Sequence, residues 1–397
     1  MAPDPTNVAP SAGHRTMVKV SIIIKTLNEE ANIARAIESA LVAAAPHGGE
    51  VIVADSGSRD QTVEIAMRYP TLVVQLKNFD ERCCGIGPQL GYQHSSGEYI
   101  YVLDGDMQLD ADFLRQALEL LEHQPSLAAV GGLTREMRVR NIEFKNRGRH
   151  FLNRQVENGS EVECLVGGGL YRRRAIEDVC YLSDRNLHGF EEYDLGARLR
   201  QKGWRVVRIN TYAVDHYSYQ LSTYRLLWYR VRAGRLLALG EILRAGARAG
   251  YVKRAVVELR PIRFALGTLL FWAIAVLLAS MAPSTGWLFV ILAIAATLPT
   301  VAMIARSGSI AAGTYSVVVW HLTAVTLLLG LARTRKPPTA TIGFRILHTA
   351  ATTIAGGPTS ERKLRADSAG AEVEPIIGRA GPQPARSDHA GYYGSAS

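Results

Sequence analysis

The chain has 397 residues, 48% of them hydrophobic, and a net charge of +9. That length suffices for one large or two ordinary domains. A basic balance suits nucleic acid, anionic lipid or phosphorylated substrates, but the arginines crowd between Tyr224 and Arg263, just before long apolar runs, which favours a membrane surface and argues against nucleic acid. Cys83, Cys84, Cys164 and Cys180 show no CxxC or zinc-ligand spacing and read as reduced thiols.

Residues 1–16 are polar and read as disordered; they lack the apolar core of a signal peptide, so the next domain is expected to stay in the cytoplasm. Residues 18–24 read as a first strand. Asn28-Glu29-Glu30 then starts a helix through Ile33, Ile37 and Leu41, which Pro46 to Gly49 break. Residues 50–54 are a second strand ending at Asp55-Ser56-Gly57-Ser58, 61–67 a helix and 71–76 a third strand. A Gly-containing segment, 83–94, leads to Tyr99-Ile100-Tyr101-Val102-Leu103, an apolar run that ends in Asp104-Gly105-Asp106. Alternation of strand and helix at this spacing implies parallel pairing.

Residues 111–123 read as a helix and 127–130 as a strand stopped by Gly131-Gly132. Residues 141–156 look helical and basic, and Gly167-Gly168-Gly169 forms a close-approach loop. An acidic helix opens at Glu191-Glu192-Tyr193-Asp194 and is capped by Gly203, before a last strand at 204–209. Residues 221–263 are basic and amphipathic, as expected of helices lying in a membrane interface.

Two apolar runs, 264–281 and 287–305, can each cross about 30 Å of hydrocarbon at roughly 20 residues per span. A third, 310–332, is long enough as well. Crossing after the other two, it would leave Arg333, Arg335 and Lys336 outside, against the positive-inside bias set by Arg260, Arg263 and Arg306. It is either re-entrant or crosses against that bias. The transmembrane region, 264–335, therefore holds two or three helices. Residues 336–357 form a possible interfacial segment, and 358–397 a disordered tail.

A buried strand ending in Asp-x-Asp brings two hard oxygen ligands to the carboxyl edge of a sheet, where open α/β sheets bind ligands. The pair suits Mg²⁺ or Mn²⁺. Acids at three successive strand ends, Glu29, Asp55 and Asp104/Asp106, repel phosphates directly. They suit a nucleotide held through base and ribose, with a metal bridging its diphosphate.

Ser21 to Glu30, Asp55 to Thr62 and Leu103-Asp104-Gly105-Asp106 together resemble the nucleotide-sugar motifs of family 2 glycosyltransferases of membrane-anchored bacterial type. The resemblance implies an α/β fold: a GT-A-like nucleotide-sugar domain over 17–220, with a mixed, mostly parallel sheet flanked by helices, followed by the interfacial and C-terminal transmembrane helices. It implies an inverting enzyme that moves a sugar from a nucleotide-diphosphate donor, a UDP-sugar foremost, to a hydroxyl of a lipid-linked saccharide or glycolipid at the cytoplasmic face of the inner membrane.

The segment from Glu191 to Leu199 is similar to the family's catalytic acidic helix start. This implies Glu192 as general base, with Glu191 as second candidate and Asp194 orienting the local structure. The donor would touch Thr26, Asn28, Glu29, Asp55, Gly57, Ser58 and Asp104; the metal would bind Asp104 and Asp106, with His216 completing its site. Arg172 or Arg173 either approaches the diphosphate or serves as a solvated strand end. The sequence departs from the family's pattern at Lys25, where relatives often carry proline, and at Gly87 to Gly91, where the usual arginine is missing. The rival readings are a polyprenyl-phosphate glycosyltransferase, a processive polysaccharide synthase, and a non-enzymatic nucleotide-sensing scaffold. Donor sugar, acceptor, linkage and oligomeric state are left open.

Overall fold

The computed structural model describes residues 18–137, 159–217 and 223–349. The helix expected at 141–156 falls outside them. Apolar, β-branched runs form the parallel heart of the sheet: β1 (Val20–Thr26), β2 (Glu50–Asp55), β3 (Leu72–Leu76) and β4 (Tyr99–Asp104). Helices α1 (Ile33–Ala44), α2 (Thr62–Ala66) and α3 (Ile86–Gln93) connect them. The other half of the sheet is largely antiparallel: β5 (Met107–Leu109), β6 (Leu127–Glu136), β7 (Ser160–Glu161), β8 (Gly169–Arg172) and β9 (Arg205–His216), with α4 (Ala111–His123), α5 (Arg173–Asp178) and α6 (Glu191–Gln201). From the β3 side the order is β3-β2-β1-β4-β8-β6-β9-β5. This is a mixed, GT-A-like α/β sheet covered on both faces.

Several expected elements differ; the last strand, expected over 204–209, runs on as β9 to His216, paired with β6 and β5. The segment at 83–94 contains α3, whose helical signal is weakened by Gly87, Pro88 and Gly91. Pro88 falls in the first turn, where its missing N–H costs nothing. Gly91 lies so close to β1 that a Cβ would stand 2.2 Å from Ile23 Cγ2. The strand expected to stop at Gly131-Gly132 instead runs on as β6 to Glu136. At Gly132 a Cβ would meet Thr211 O at 2.5 Å, so the glycine admits the neighbouring chain and does not end the strand.

The basic region folds as α7 (Thr223–Arg232), a 3-10 turn at Arg235–Leu237, α8 (Ala238–Ala249) and α9 (Val252–Glu258). Three helices long and apolar enough to cross a membrane follow: α10 (Arg260–Ser280), α11 (Thr285–Ser307) and α12 (Ile310–Ala332). Helix α6 joins the two parts. Leu195 and Leu199 pack in the core under the sheet, whereas Tyr193 and Ala197, offset by two, pack with Leu239, Ile242, Ile262 and Leu327 of α8, α10 and α12.

Both ends of the apolar region are fixed to the sheet domain. Ile262 and Ala265 at the start of α10 are fully buried beside α6. Past α12, Arg333 reaches Glu241 at 3.3 Å, Arg335 pairs with Asp184, and Lys336 pairs with Glu81 at 2.7 Å. The chain then adds β10 (Phe344–His348), antiparallel to β3, at the edge of the sheet. This short strand lies within 336–357, where patterning suggested an interfacial segment. Edge pairing and the buried Ile342 hold it, and neither has a local signature.

Candidate active site

The parallel register of β1 with its neighbours builds the site. It sets Lys25 opposite Asp104 on β4 and Thr26 opposite Asp55 on β2. Lys25 Nζ lies 3.0 Å from Asp104 Oδ1 and 3.2 Å from Glu191 Oε1, at the start of α6. Burial alone would lower the Lys25 ammonium, but the carboxylates of Asp104, Glu191 and Glu192 outweigh it and hold it well above its ordinary value.

Lys25 lies in the walls of three cavities, the third lined also by Tyr171, Leu182, Glu191 and Glu192; two concern the expected metal pair and the helical region. One, of about 320 Å³, is lined by Thr26, Glu29, Ser56, Asp104 and Asp106. At its floor is Gly105, where a Cβ would come 2.9 Å from Thr26 Oγ1 and 3.0 Å from Glu29 Cγ. The other, of about 750 Å³, is lined by Glu191, Glu192 and residues of the helical region. The expected metal pair and the expected base therefore flank a single lysine.

The acidic end fits a divalent cation. Asp104 Oδ2 is buried without a hydrogen-bond partner. Burial pushes the Asp104 carboxyl up, to about 6; Lys25 opposes the rise and Asp106 adds to it. His216 Nε2 stands 3.2 Å from Asp106 Oδ2, and Nδ1 stands 2.7 Å from Glu136 Oε2. Burial alone would lower His216, but these two acids raise it to about 10. Among the described residues no group of three His, Cys, Asp or Glu forms a ready metal cage. That is consistent with Mg²⁺ or Mn²⁺, which bind through one or two carboxylates plus substrate phosphates.

The rest of the expected donor site is knit around two turns. Asn28, at φ +57°, donates its N–H to Ser58 Oγ at 2.8 Å and accepts from Arg59 N at 2.8 Å. Glu29 N–H donates to Thr62 Oγ1 at 2.7 Å, and the Glu29 carboxylate lines the smaller cavity. Thr26 Oγ1 is buried without a hydrogen-bond partner beside it. Asp55 is fully buried and accepts from Gly57 N at 2.8 Å, from Ser58 and from Gln75 Nε2 at 2.9 Å. A nucleotide base would have to displace one of these donors to reach it. Gly57, at φ +92°, packs against the Phe79 ring, which a Cβ would meet at 2.5 Å.

Asn28, Asp55, Gly57, Ser58 and His216 flank the cavities without lining them, and Asp194, Arg172 and Arg173 are engaged elsewhere. Asp194 is fully buried, accepting from Arg198 Nε at 2.8 Å and Tyr251 OH at 2.5 Å; it orients α6. Arg172 and Arg173 do not approach the diphosphate side. Because β8 runs antiparallel to β4, Arg172 pairs opposite Tyr99, at the end of β4 far from Asp104. There the two guanidinium groups bind the carbonyls of Leu127 and Gly97.

Sequence reasoning missed Glu136, hidden beyond the glycine pair, and saw Lys25 only as a departure from a pattern. Gln89 replaces the expected arginine segment with a structural contact: its Oε1 accepts from Leu182 N at 3.1 Å and Ser183 N at 3.0 Å.

An α/β sheet with acids at its carboxyl edge and a second acidic station facing them is the architecture of a nucleotide-sugar domain. Residues 21–180 match the family described as Glycosyl transferase family 2. Among curated relatives, the chain is 30% identical over 117 residues to Glucomannan 4-beta-mannosyltransferase 2 of Arabidopsis thaliana, covering 27% of this chain and 21% of the relative. It is 36% identical over 97 residues to Glucosyl-3-phosphoglycerate synthase of Petrotoga mobilis, covering 23% and 28%. The chain thus spans under a third of each relative's length. The solved mannosyltransferase PcManGT from Pyrobaculum calidifontis, in complex with GDP-Man and Mn2+, aligns with TM-score 0.48 at 18% identity over 82% of this chain and 89% of that one.

Proposed function

We propose that the protein is a membrane-associated, inverting glycosyltransferase that moves a sugar from a nucleotide-diphosphate donor, foremost a UDP-sugar, to a hydroxyl of a lipid-linked saccharide or glycolipid at the cytoplasmic membrane face. The observation that carries this reading is that Lys25 stands between the cavity lined by Asp104 and Asp106 and the cavities lined by Glu191 and Glu192. The donor occupies the smaller cavity, its ribose within reach of Glu29 and Thr26. The acceptor hydroxyl enters the larger one. Its oxygen bonds to the anomeric carbon from the face opposite the nucleotide, the bond to the diphosphate breaks, the nucleotide leaves with the electron pair, and the proton passes to Glu192. Glu192 is the proposed base; Glu191, paired with Lys25, is the second candidate.

Asp104 and Asp106, with His216 beside them, would hold Mg²⁺ or Mn²⁺; when bound, such an ion neutralises the diphosphate's charge. Lys25 adds a fixed positive charge at the same place.

The membrane reading is supported by a parity argument. The start of α10 and the residues after α12 are both anchored on the sheet domain, so an even number of full crossings joins them. Two crossings, α10 out and α11 back, keep Arg260, Arg263, Arg306, Arg333, Arg335 and Lys336 on one side, as the positive-inside bias requires. Helix α12 then lies against α8 without a third crossing.

The test is transfer from a donor panel, including UDP-glucose and GDP-mannose, by the purified full chain in detergent with native lipid extract. Metal-dependent transfer abolished by Glu192→Gln supports the reading; binding of UDP without any transfer would leave the nucleotide-sensing scaffold.

A further inference from the structure

The larger cavity is built unlike a site for a soluble acceptor. Glu191 and Glu192 stand at one end and Arg230 and Arg235 line its wall. The remaining surface is mostly apolar: Leu236 and Leu239 come from the turn and start of α8, while Pro261 and Thr323 come from α10 and α12, two of the three apolar helices. The cavity therefore runs from the carboxylates of α6 to the flank of the segments that meet lipid. Arg230 and Arg235 bring two guanidinium groups into the lining of the cavity.

We infer that this cavity is the acceptor site and takes an amphiphile carrying a phosphate between its apolar tail and the hydroxyl to be glycosylated, entering sideways between α7–α8 and α10/α12. This rests on the reading of the domain as a transferase and names the acceptor's chemistry. The tail lies along Leu236, Leu239, Pro261 and Thr323. The phosphate meets the two guanidinium groups, whose planar forks match its oxygens. The hydroxyl then points at Glu192. The smaller cavity shares Lys25 and Cys84 with the larger one but is lined by Asp104, Asp106 and Glu29 and by neither arginine; on this proposal the two arginines belong to the acceptor.

Dodecyl phosphate, dodecanol and inorganic phosphate serve as probes against the full chain in lipid nanodiscs, read by isothermal titration and by competition with acceptor in lipid extract. The expected result is that dodecyl phosphate binds and raises the apparent acceptor KM, while dodecanol and inorganic phosphate at the same concentration do neither. Loss of two charge-assisted contacts in the Arg230→Gln/Arg235→Gln double variant should weaken dodecyl phosphate at least about tenfold. Equal competition by dodecanol would overturn the anion recognition, and equal competition by inorganic phosphate would overturn the lipid. Loss of UDP binding in place of dodecyl phosphate binding would reassign the arginines to the donor. The three wild-type arms need no variant to fold. If no donor is turned over and dodecyl phosphate still binds, the proposed activity falls and the pocket stands; if sugar is transferred and dodecyl phosphate neither binds nor competes, the pocket falls and the activity stands.

Discussion

Lys25 Nζ stands 3.2 Å from Glu191 Oε1, across 166 positions of sequence, and joins the first strand of the sheet to the helix that carries Glu191 and Glu192. Its other partner is Asp104, directly opposite on β4. One largely enclosed cation thus holds together two carboxylates that would otherwise repel.

Replacing Lys25 with methionine should cost about 3–5 kcal/mol of stability, because it leaves two buried acids without their counter-charge. Denaturant unfolding of wild type and variant measures this. Lys25→Arg should recover part of the loss; an unchanged midpoint for Lys25→Met would mean that the bridge is not formed in solution.

Glu192→Gln should lower turnover about 10²–10⁴-fold while nucleotide binding is kept, the effect of removing a general base. Glu191→Gln should lower it less and should destabilise the fold by weakening the Lys25 bridge. Single-turnover rates with saturating donor separate the two; the reverse ranking would move the base to Glu191.

Asp104→Asn should remove the Mn²⁺-dependent part of UDP binding, about tenfold or more, equivalent to about 1.4 kcal/mol. Titration of UDP with and without Mn²⁺ reads it directly. A metal response equal to wild type would exclude Asp104 as a ligand.

Arg198→Ala should destabilise by about 3–5 kcal/mol, since it strands the fully buried Asp194. Tyr251→Phe should cost about 1–3 kcal/mol through the second lost partner. Any activity loss in Tyr251→Phe should track unfolding, and full-strength folded protein with no activity would instead give Asp194 a direct catalytic role.

Even parity of crossings predicts that a membrane-impermeant maleimide reaches Thr339→Cys from the same side as the exposed native Cys180. Ser284→Cys, in the turn between α10 and α11, should react only from the opposite side. Labelling of Thr339→Cys and Ser284→Cys from one side would contradict the two-crossing arrangement.

Local chemistry made much of this legible. Strands and helices of the nucleotide half announce themselves because β-branched runs and 3.6-residue periodicity are nearest-neighbour properties. The acids at Glu29, Asp55 and Asp104/Asp106 stand at strand ends that any parallel sheet brings to one edge. Long apolar runs declare their affinity for hydrocarbon from composition alone. Hidden elements were those whose reason is a distant partner: α3, tolerated with Pro88 and two glycines because Ile23 needs the space; β6, carried past Gly131-Gly132 by β9; and β10, a strand only because β3 has an unpaired edge.

The sequence by itself determined the family resemblance, the acid stations and the apolar helices, since each depends on residues adjacent or regularly spaced along the chain. Only the tertiary structure decided that Lys25 stands between Asp104 and Glu191, that Glu136 backs His216, that Asp194 is locked away by Arg198 and Tyr251, and that the chain beyond α12 returns to the sheet. The physical reason is that charge pairing and edge pairing are set by proximity in space, between groups as far apart in sequence as Lys25 and Glu191.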